Sequence, residues 1–327
     1  MEAFGWAFIG TGAIANTVAK EITATARHRI VSCYSRNTKT SSKFANKYNS
    51  YNATSFEDAV MHEGVNAVYL ATPHSCHYGE IMKCIELGIP VLSEKAFTIN
   101  AQQTEAIINT PRRSYVSEGM WTRYNPIVRQ VRELVASGKL GKIKSVEASF
   151  CYPFALSNFS KRVVLPEYGG GALLDIGVYL ISYMNMLFGK AKSVQSNMIF
   201  NKYGTDKFVD MHLEYDGGVS VHAKAGLDRL TSCGIKIIGD KGNIHMPLFY
   251  RPTSCKINIE GRKYSIYCTK GYIHEFDYVA GEIREGKVES SLISLQDSLE
   301  VMRVMDEIRR EHNLDYPEEI ETININK

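Results

Sequence analysis

The stretch FGWAFIGTGAIA, residues 4–15, decides the fold of this chain. An apolar, strand-like run ends in a turn containing Gly10 and Gly12, and Ala15 stands where the third glycine of a known motif is often replaced. In that dinucleotide fingerprint the first glycine makes a tight turn, and the second lets the backbone approach a pyrophosphate at a helix N-terminus. An ordinary glycine turn is the alternative, but the flanking strand and helix patterns favour the cofactor loop. Its other predicted members are Thr11, Ala13 and Ile14.

Strand-like runs recur through the first 120 residues, and helical spacing of apolar residues separates most of them. This alternation predicts a doubly wound parallel sheet. We therefore assign residues 1–120 to an α/β Rossmann domain that binds the cofactor. The runs are FGWAFIG, RIVSCYS, NAVYLAT, PVLSEK and SYVSEGM.

Hairpin signals replace this alternation after residue 121, as in YDGGVS, IGDKGNIHM and IEGRKYSI. They predict that residues 121–327 form an α+β domain with an open antiparallel sheet, which binds substrate. Alternating polarity in HLEYDGGVSVHAKA, residues 212–225, indicates one buried face. A broad sheet of this kind often buries its other face against a second subunit, so we expect a homo-oligomer through this sheet, most simply a homodimer.

Composition narrows the class of protein. With 327 residues, of which 44% are hydrophobic, the chain exceeds the size at which one core usually splits into two. A net charge of +3 without a run of basic residues argues against a nucleic-acid partner. Seven scattered cysteines without a C-x-x-C pair suit a reducing compartment. The apolar segment 172–188 contains polar residues and is predicted to be a buried helix, so we expect a soluble cytoplasmic protein with no membrane partner.

The end of the second predicted strand indicates which dinucleotide is bound. An NAD-binding site needs an acidic residue there for the ribose 2′-hydroxyl. This strand ends in Ser35 and Arg36, and no Asp or Glu occurs between Glu21 and Glu57. A 2′-phosphate would find hydroxyl and guanidinium partners and no opposing carboxylate, so the prediction is NADP. Basic residues further along this window are more simply explained as a solvated helix face.

Ligands of open α/β sheets bind outside the carboxyl ends of the strands. The tips ATPHSCH and SEKAF are therefore expected to line the cofactor site, with Glu94 and Lys95 facing the nicotinamide. His74 and His77 could suggest a metal, but no further ligand cluster accompanies them, so no metal is expected. His77 is instead predicted to pack on the cofactor at the start of a helix. The other predicted contacts in the first tip are Thr72 and Pro73.

The segment PEYGGGALLDIGVYLISYM, residues 166–184, carries the most chemistry. Asp175 and Tyr179 are four residues apart and so share one face of a helix. The three glycines at 169–171 allow close backbone approach just before that helix, as expected if it begins against cofactor or substrate. From spacing alone, a core tyrosine whose hydroxyl meets Asp175 is the favoured alternative.

These motifs together resemble the Gfo/Idh/MocA family, named after glucose-fructose oxidoreductase, inositol dehydrogenase and rhizopine catabolism. Within it, the WTR segment and the tyrosine form of the D-x-x-x-[HY] motif look most like dimeric trans-dihydrodiol dehydrogenases and NADP-dependent sugar dehydrogenases. The resemblance implies an NADP-linked dehydrogenase acting on CH-OH groups. The segments that carry it, in order, are FIGTGAIA, YSR, ATPHSCH, SEKAF, GMWTRYNP, GGGALLDIGVY and GYIHEFDYVAGEIREGKVES.

The resemblance also implies residue roles. Lys95 matches the family's motif lysine, Tyr179 the general acid/base and Asp175 a positioning residue. An ammonium stabilises a tyrosinate, which is the expected task of Lys95 beside Tyr179. The family commonly has proline after the lysine, whereas this chain has Ala96, so the loop is expected to be less rigid. Arg162 either approaches the cofactor or forms a surface salt bridge.

The substrate is the least determined part. Trp121 and Tyr152, with Tyr124 and Phe154, either stack on a sugar or aromatic diol or belong to the core. We expect a small molecule, namely a sugar, a cyclic polyol or a trans-dihydrodiol, with a cyclic polyol or aldose favoured. Two other functions fit the same fold: a non-catalytic NADP-binding sensor, and a dinucleotide-dependent glycosidase.

Overall fold

The apolar run at residues 4–9 forms a central strand of a parallel sheet in the computed structural model, which describes residues 2–154 and 160–317. The sheet has the strand order β3-β2-β1-β4-β5-β6, the 3-2-1-4-5-6 order of dinucleotide-binding folds. The predicted doubly wound sheet is confirmed. Its strands are β1 Phe4–Ile9, β2 His28–Tyr34, β3 Tyr51–Asn52, β4 Ala67–Leu70, β5 Val91–Glu94 and β6 Val116–Gly119.

Helices connect these strands, as right-handed crossovers between parallel strands require. Where a strand tip turns into a helix, the helix begins at the carboxyl edge of the sheet, and that edge is where a ligand is expected. The helices of this half of the chain are α1 Ala13–Ile22, α2 Thr38–Tyr48, α3 Phe56–Val60, α4 His74–Glu86, α5 Ala101–Asn109 and α6 Trp121–Tyr124.

A helix from far downstream completes this first compact unit. Phe276 of α10, Ile273–Arg284, packs edge-on against buried Trp6 with ring centroids 4.6 Å apart. It also lies against Tyr69, with centroids 5.2 Å apart. The first unit therefore includes Gly271–Leu295, a segment that the sequence assigned to the second domain, because its apolar face is buried on the first sheet.

The second unit is built on an eight-stranded sheet of order β14-β13-β12-β11-β7-β10-β9-β8. Neighbouring strands are antiparallel except β7 and β10, which run parallel. The predicted antiparallel sheet is thus confirmed with one parallel pair. Its strands are β7 Ile143–Cys151, β8 Ser193–Phe200, β9 Asp206–Tyr215, β10 Val219–Gly226, β11 Gly234–Gly239, β12 Gly242–Pro247, β13 Ser254–Ile259 and β14 Arg262–Tyr267.

One face of this sheet is apolar and buried, and the other is polar. In β9, for example, Val209, Met211 and Leu213 are fully buried, whereas Asp210 and His212 point to the opposite face. The helices of the second unit are α7 Pro126–Ala136, α8 Ser160–Val164 and α9 Val178–Phe188, and all but the first residue of α11 Leu295–Glu311.

The apolar helical run Pro166–Phe188 has the length and hydropathy of a membrane span, but 78% of it is buried inside the protein. This is the arrangement of a core helix, as the sequence predicted for 172–188. The run carries the glycines, Asp175 and Tyr179.

Candidate active site

The glycine turn after β1 has the geometry that a pyrophosphate requires. Gly10 has a φ of +88°, and a Cβ there would lie 2.6 Å from the Ala71 carbonyl oxygen, so only glycine fits. A Cβ at Gly12, by contrast, would meet nothing within 4 Å. Gly12 is also the N-cap of α1, and as a glycine it brings no capping side chain to this helix end. The N-terminus of α1 is therefore open for phosphate oxygens to accept its N–H groups.

Ser35 and Arg36 follow β2 directly, at the carboxyl edge of the sheet. Arg36 is exposed, and the next residue, Asn37, caps α2 by accepting hydrogen bonds from the N–H groups of Lys39 and Thr40. The Thr11 hydroxyl donates to the Thr40 hydroxyl at 3.1 Å, which ties the glycine turn to the start of α2. The Arg36 guanidinium, the glycine turn with Thr11 and the start of α2 with Thr40 therefore lie at the same corner of the sheet.

A carboxyl group that sequence reasoning missed lies at the same corner. Glu80 of α4 accepts a hydrogen bond from the Thr72 hydroxyl at 2.5 Å. Burial raises the pKa of the Glu80 carboxyl to about 7, and the charge of Arg36 opposes that rise. The expectation of no opposing carboxylate therefore needs correction. It concerns residues 22–56, whereas Glu80 lies nearly two turns into α4 and its side chain reaches back to Thr72 at the β4 tip.

A buried histidine joins the two strand tips. One ring nitrogen of His77 lies 2.9 Å from the Ala96 carbonyl oxygen, and the other lies 3.0 Å from that of Thr72. The His77 ring is fully buried. It would therefore act on a bound cofactor by positioning the Thr72 and Ala96 backbone segments that it contacts. Ala96, where the family has proline, is also fully buried, and its peptide bond with Lys95 is cis.

Carboxyl groups are concentrated inside the first unit. The Tyr69 hydroxyl donates to Glu94 at 2.5 Å, and both side chains are buried. Glu275 of α10 is fully buried, and neither of its carboxyl oxygens has a hydrogen-bond partner among the described residues. Burial, followed by the nearby charges of Glu94 and Glu118, raises the pKa of Glu275 well above its usual range. Burial and the neighbouring carboxyl groups thus both favour the neutral form of Glu275.

Trp121, one of the aromatic residues with two possible roles, is buried and stacks on Tyr272 with centroids 4.3 Å apart and planes 19° apart. Tyr272 is half-buried, and its N–H donates to the Glu21 carboxylate at 2.7 Å. One face of the Trp121 ring is thus covered by protein. Sequence reasoning had no signal for Tyr272, since the pairing depends on how α10 packs.

In the second unit, the glycine run is held by buried polar groups. Gly171 has a φ of +124°, and a Cβ there would collide with the carboxylate of Asp206. That carboxylate accepts the Leu173 N–H at 2.7 Å, and the Tyr316 hydroxyl donates to the Gly170 carbonyl at 2.7 Å. The glycines were expected to allow another group to approach the backbone closely. At Gly171, the group that approaches is the protein's own Asp206.

Asp175 lies in a π-helical turn, Leu173–Gly177, and Tyr179 lies in the α-helix that continues from it. The predicted regular helix is thus wider at Asp175, a feature that is frequent at functional sites. Asp175 is buried, and its carboxylate accepts a hydrogen bond from Arg162 at 3.2 Å. Of the two alternatives given for Arg162, the salt bridge is present, and its partner is the predicted catalytic residue Asp175.

Aromatic rings surround Tyr179 within the second unit. Tyr179 is buried, and its ring lies 5.8 Å from that of Phe150, which in turn stacks on Tyr250 with centroids 4.1 Å apart. Tyr152, a predicted substrate contact, is 46% exposed and lies 4.6 Å from the ring of Phe154. Tyr152 thus retains surface on which a ligand ring could stack.

The arginine of the WTR segment is structural. Arg123 is buried and donates two hydrogen bonds to Ser182 of α9, to its hydroxyl at 3.1 Å and its carbonyl at 2.9 Å. The charge-assisted bonds anchor α9 one turn after Tyr179. The segment that pointed to a branch of the family therefore supports the helix that carries the predicted acid/base.

Models of known protein families match both units of the chain. A model of the oxidoreductase family with an NAD-binding Rossmann fold matches residues 4–117, and a model of the GFO/IDH/MocA C-terminal domain matches residues 128–245. Trans-1,2-dihydrobenzene-1,2-diol dehydrogenase of Xenopus laevis is 29% identical over 95% of this chain and 99% of its own length. D-xylose 1-dehydrogenase (NADP(+)) of Hypocrea jecorina is 29% identical over 97% of this chain and 94% of its own length.

Among solved structures, the 3-ketoreductase KijD10 of Actinomadura kijaniata, in complex with NADP and TDP-benzene, has the same fold. It superposes with a TM-score of 0.81 at 20% identity, covering 92% of this chain and 95% of that chain. The similarity extends over both units.

Proposed function

Because this chain belongs to the GFO/IDH/MocA family of oxidoreductases, we propose that it transfers hydride between NADP(H) and a carbinol or carbonyl carbon of a sugar, cyclic polyol or trans-dihydrodiol. The observation that carries this proposal is the open N-terminus of α1 at Gly12, on the same sheet edge as the exposed Arg36. A dinucleotide phosphate fits the first, and a 2′-phosphate fits the second. The names of the relatives support both the cofactor and the substrate class.

Bound NADP would supply a nicotinamide C4 that accepts or donates hydride. The glycine turn and the Ser35–Arg36 tip would hold its phosphates, with the Thr72 and Ala96 backbone segments beside them. Tyr179 would take the proton of the substrate hydroxyl during oxidation and return it during reduction. Asp175, with Arg162 bound to it, would orient the substrate, and Lys95 keeps the role of the family's motif lysine.

The decisive experiment is a comparison of Tyr179→Phe with Tyr183→Phe. Tyr183 lies one turn further along α9, is buried, and its hydroxyl has no hydrogen-bond partner among the described residues. General acid/base catalysis typically contributes 10²–10⁴-fold, so Tyr179→Phe should lower kcat by about that factor. NADPH binding, measured by its fluorescence, should be unchanged in both variants. Equal activity of the two variants would reject Tyr179 as the acid/base.

Substrate class is tested by offering aldoses, inositols and dihydrodiols with NADP⁺ and with NAD⁺ and following the absorbance of the reduced cofactor. Turnover with NADP⁺ on at least one class is the expected result. Tight NADPH binding without turnover of any compound would favour a sensor instead. Release of glycoside products without net NADPH would favour the glycosidase chemistry.

We also propose that the chain self-associates through the polar face of the eight-stranded sheet, and that it works in a reducing compartment. The first proposal is supported by a broad sheet with one face buried and the other bearing exposed Ile238. The second is supported by seven cysteines that are scattered along the sequence without a C-x-x-C pair. Light scattering after size exclusion, which reports the mass in solution, tests the first.

A further inference from the structure

Three potential metal ligands meet on the polar face of the eight-stranded sheet. His212 of β9 and His222 of β10 are directly opposite each other in the antiparallel register. Asp210 precedes His212 by two residues and therefore points to the same face. We refer to Asp210, His212 and His222 as the His–Asp–His cluster.

The ligand atoms of this cluster converge. The Asp210 Oδ1 atom lies 2.6 Å from His222 Nε2 and 4.0 Å from His212 Nε2. One ligand atom from each residue lies within 4.8 Å of the other two. The imidazole rings are stacked, with centroids 4.3 Å apart and planes 10° apart, so they form a pair with Asp210 at one side.

We propose that the His–Asp–His cluster binds one divalent transition-metal ion, such as Zn²⁺ or Co²⁺, with water as its fourth ligand. Two imidazoles and a carboxylate are ligands that such ions prefer, whereas Mg²⁺ and Ca²⁺ prefer oxygen ligands alone. A tetrahedral ion with bonds of about 2.0–2.1 Å holds its ligand atoms roughly 3.3 Å apart. The two carboxylate–imidazole distances lie on either side of this spacing, and the stacked rings would rotate for both imidazoles to bind one ion.

In the isolated chain, solvent reaches this cluster, which lies on the sheet face proposed above for self-association, and the neighbouring Lys224 ammonium opposes the ion. The side chains of His212, His222 and Asp210 are 54%, 38% and 24% exposed. The Lys224 ammonium lies 3.6 Å from Oδ2 of Asp210, which leaves Oδ1 as the oxygen shared with the histidines. Binding of a metal would therefore turn Lys224 away from the carboxylate, and the affinity is lower than that of a closed structural site.

The cluster is separate from the residues proposed for catalysis in this unit. A Cβ at Gly177, in the π-helical turn that holds Asp175, would lie 3.6 Å from the Cβ of Ala225. Ala225 points to the buried face of β10, whereas His222 points to the polar face. The sheet therefore lies between the cluster and Asp175, and a metal bound at the cluster would not touch substrate there.

The test is titration of the tag-free, full-length protein with Co²⁺, because a histidine tag would itself bind the ion. We expect one visible-absorbing Co²⁺ per chain, displaced by Zn²⁺, without the near-ultraviolet band that thiolate ligands give. His212→Gln/His222→Gln and, separately, the conservative Asp210→Asn should each lower the affinity at least tenfold. His245→Gln, on the same face of the sheet but in strand β12, which β11 and β7 separate from β10, is the matched control and should bind as the parent does.

The outcome separates this proposal from an ordinary hydrogen-bonded ion network. Circular dichroism first checks that every variant is folded. Absence of saturable Co²⁺ binding, binding that survives the double His variant, or an equal loss in His245→Gln would each overturn the proposal. A thiolate band would also overturn it, by placing the ion on a cysteine.

Discussion

Replacing Glu80 with Gln tests the electrostatics of the corner where the cofactor phosphates are expected. The Glu80 carboxyl titrates at a pKa of about 7, instead of its ordinary value of 4.5, because burial disfavours the charged form. The folded state therefore holds this proton more tightly than the unfolded state between pH 4.5 and pH 7. In that window the stability contributed by the protonated form is lost as pH rises.

Each pH unit in this window costs ~1.4 kcal/mol, which sets an upper bound of about 3 kcal/mol. Partial solvent access at Glu80 reduces the expected effect to about 1–3 kcal/mol. Gln has the same shape and can still accept the Thr72 hydrogen bond, so Glu80→Gln should raise the free energy of unfolding by this amount at pH 8 and by less than about 1 kcal/mol at pH 5.

Urea unfolding of the cofactor-free protein at pH 5 and pH 8, compared with the parent chain, is the assay. Glu86→Gln is the matched control, since Glu86 is exposed at the end of the same helix, and it should change neither value. A gain of equal size at both pH values, or a loss of stability at pH 8, would refute the argument. In addition, NADP⁺ affinity of Glu80→Gln should exceed that of the parent above pH 7, where an ionised Glu80 competes with the 2′-phosphate for Arg36.

Three further substitutions test the cofactor loop and its specificity. Gly12→Ala should weaken NADPH binding but leave the thermal midpoint of unfolding almost unchanged, since its Cβ meets nothing within 4 Å. Gly10→Ala should lower the thermal midpoint, because the φ of Gly10 is +88°. Identical effects of the two variants on binding and on the midpoint would contradict these separate roles. Arg36→Ala should weaken NADP⁺ binding by about 10- to 100-fold, the value of a charge-assisted hydrogen bond, with little change for NAD⁺. Calorimetric titration with each dinucleotide checks it, and an equal loss for both would remove Arg36 from the 2′-phosphate site.

Much of the fold was predictable because its determinants are local. The glycine turn at residues 10–12 is recognisable since φ at Gly10 excludes other residues, and the alternation of strand and helix patterns predicts a parallel sheet from short windows. The Asp175 and Tyr179 pair was likewise found from a spacing of four. For the same reason, the hairpin signals after residue 212 predicted the antiparallel part of the second sheet.

The electrostatic environment of the candidate site was not predictable in this way. Glu80 meets Thr72 and Glu275 is buried near Glu94 because α4 and α10 are oriented by packing, and packing is a property of whole surfaces. The parallel pairing of β7 with β10 similarly depends on which strands become neighbours, a choice that no local pattern records.

By itself, then, the sequence determined the class of fold, the dinucleotide loop and the residues that are candidates for chemistry, since each depends on backbone geometry over a few neighbouring residues. Only the tertiary structure decided that Gly271–Leu295 belongs to the first unit, that Arg162 binds Asp175, and that two histidines and an aspartate from adjacent strands converge. Those contacts join residues on different secondary-structure elements, and they form only when burial of apolar surface brings the elements together.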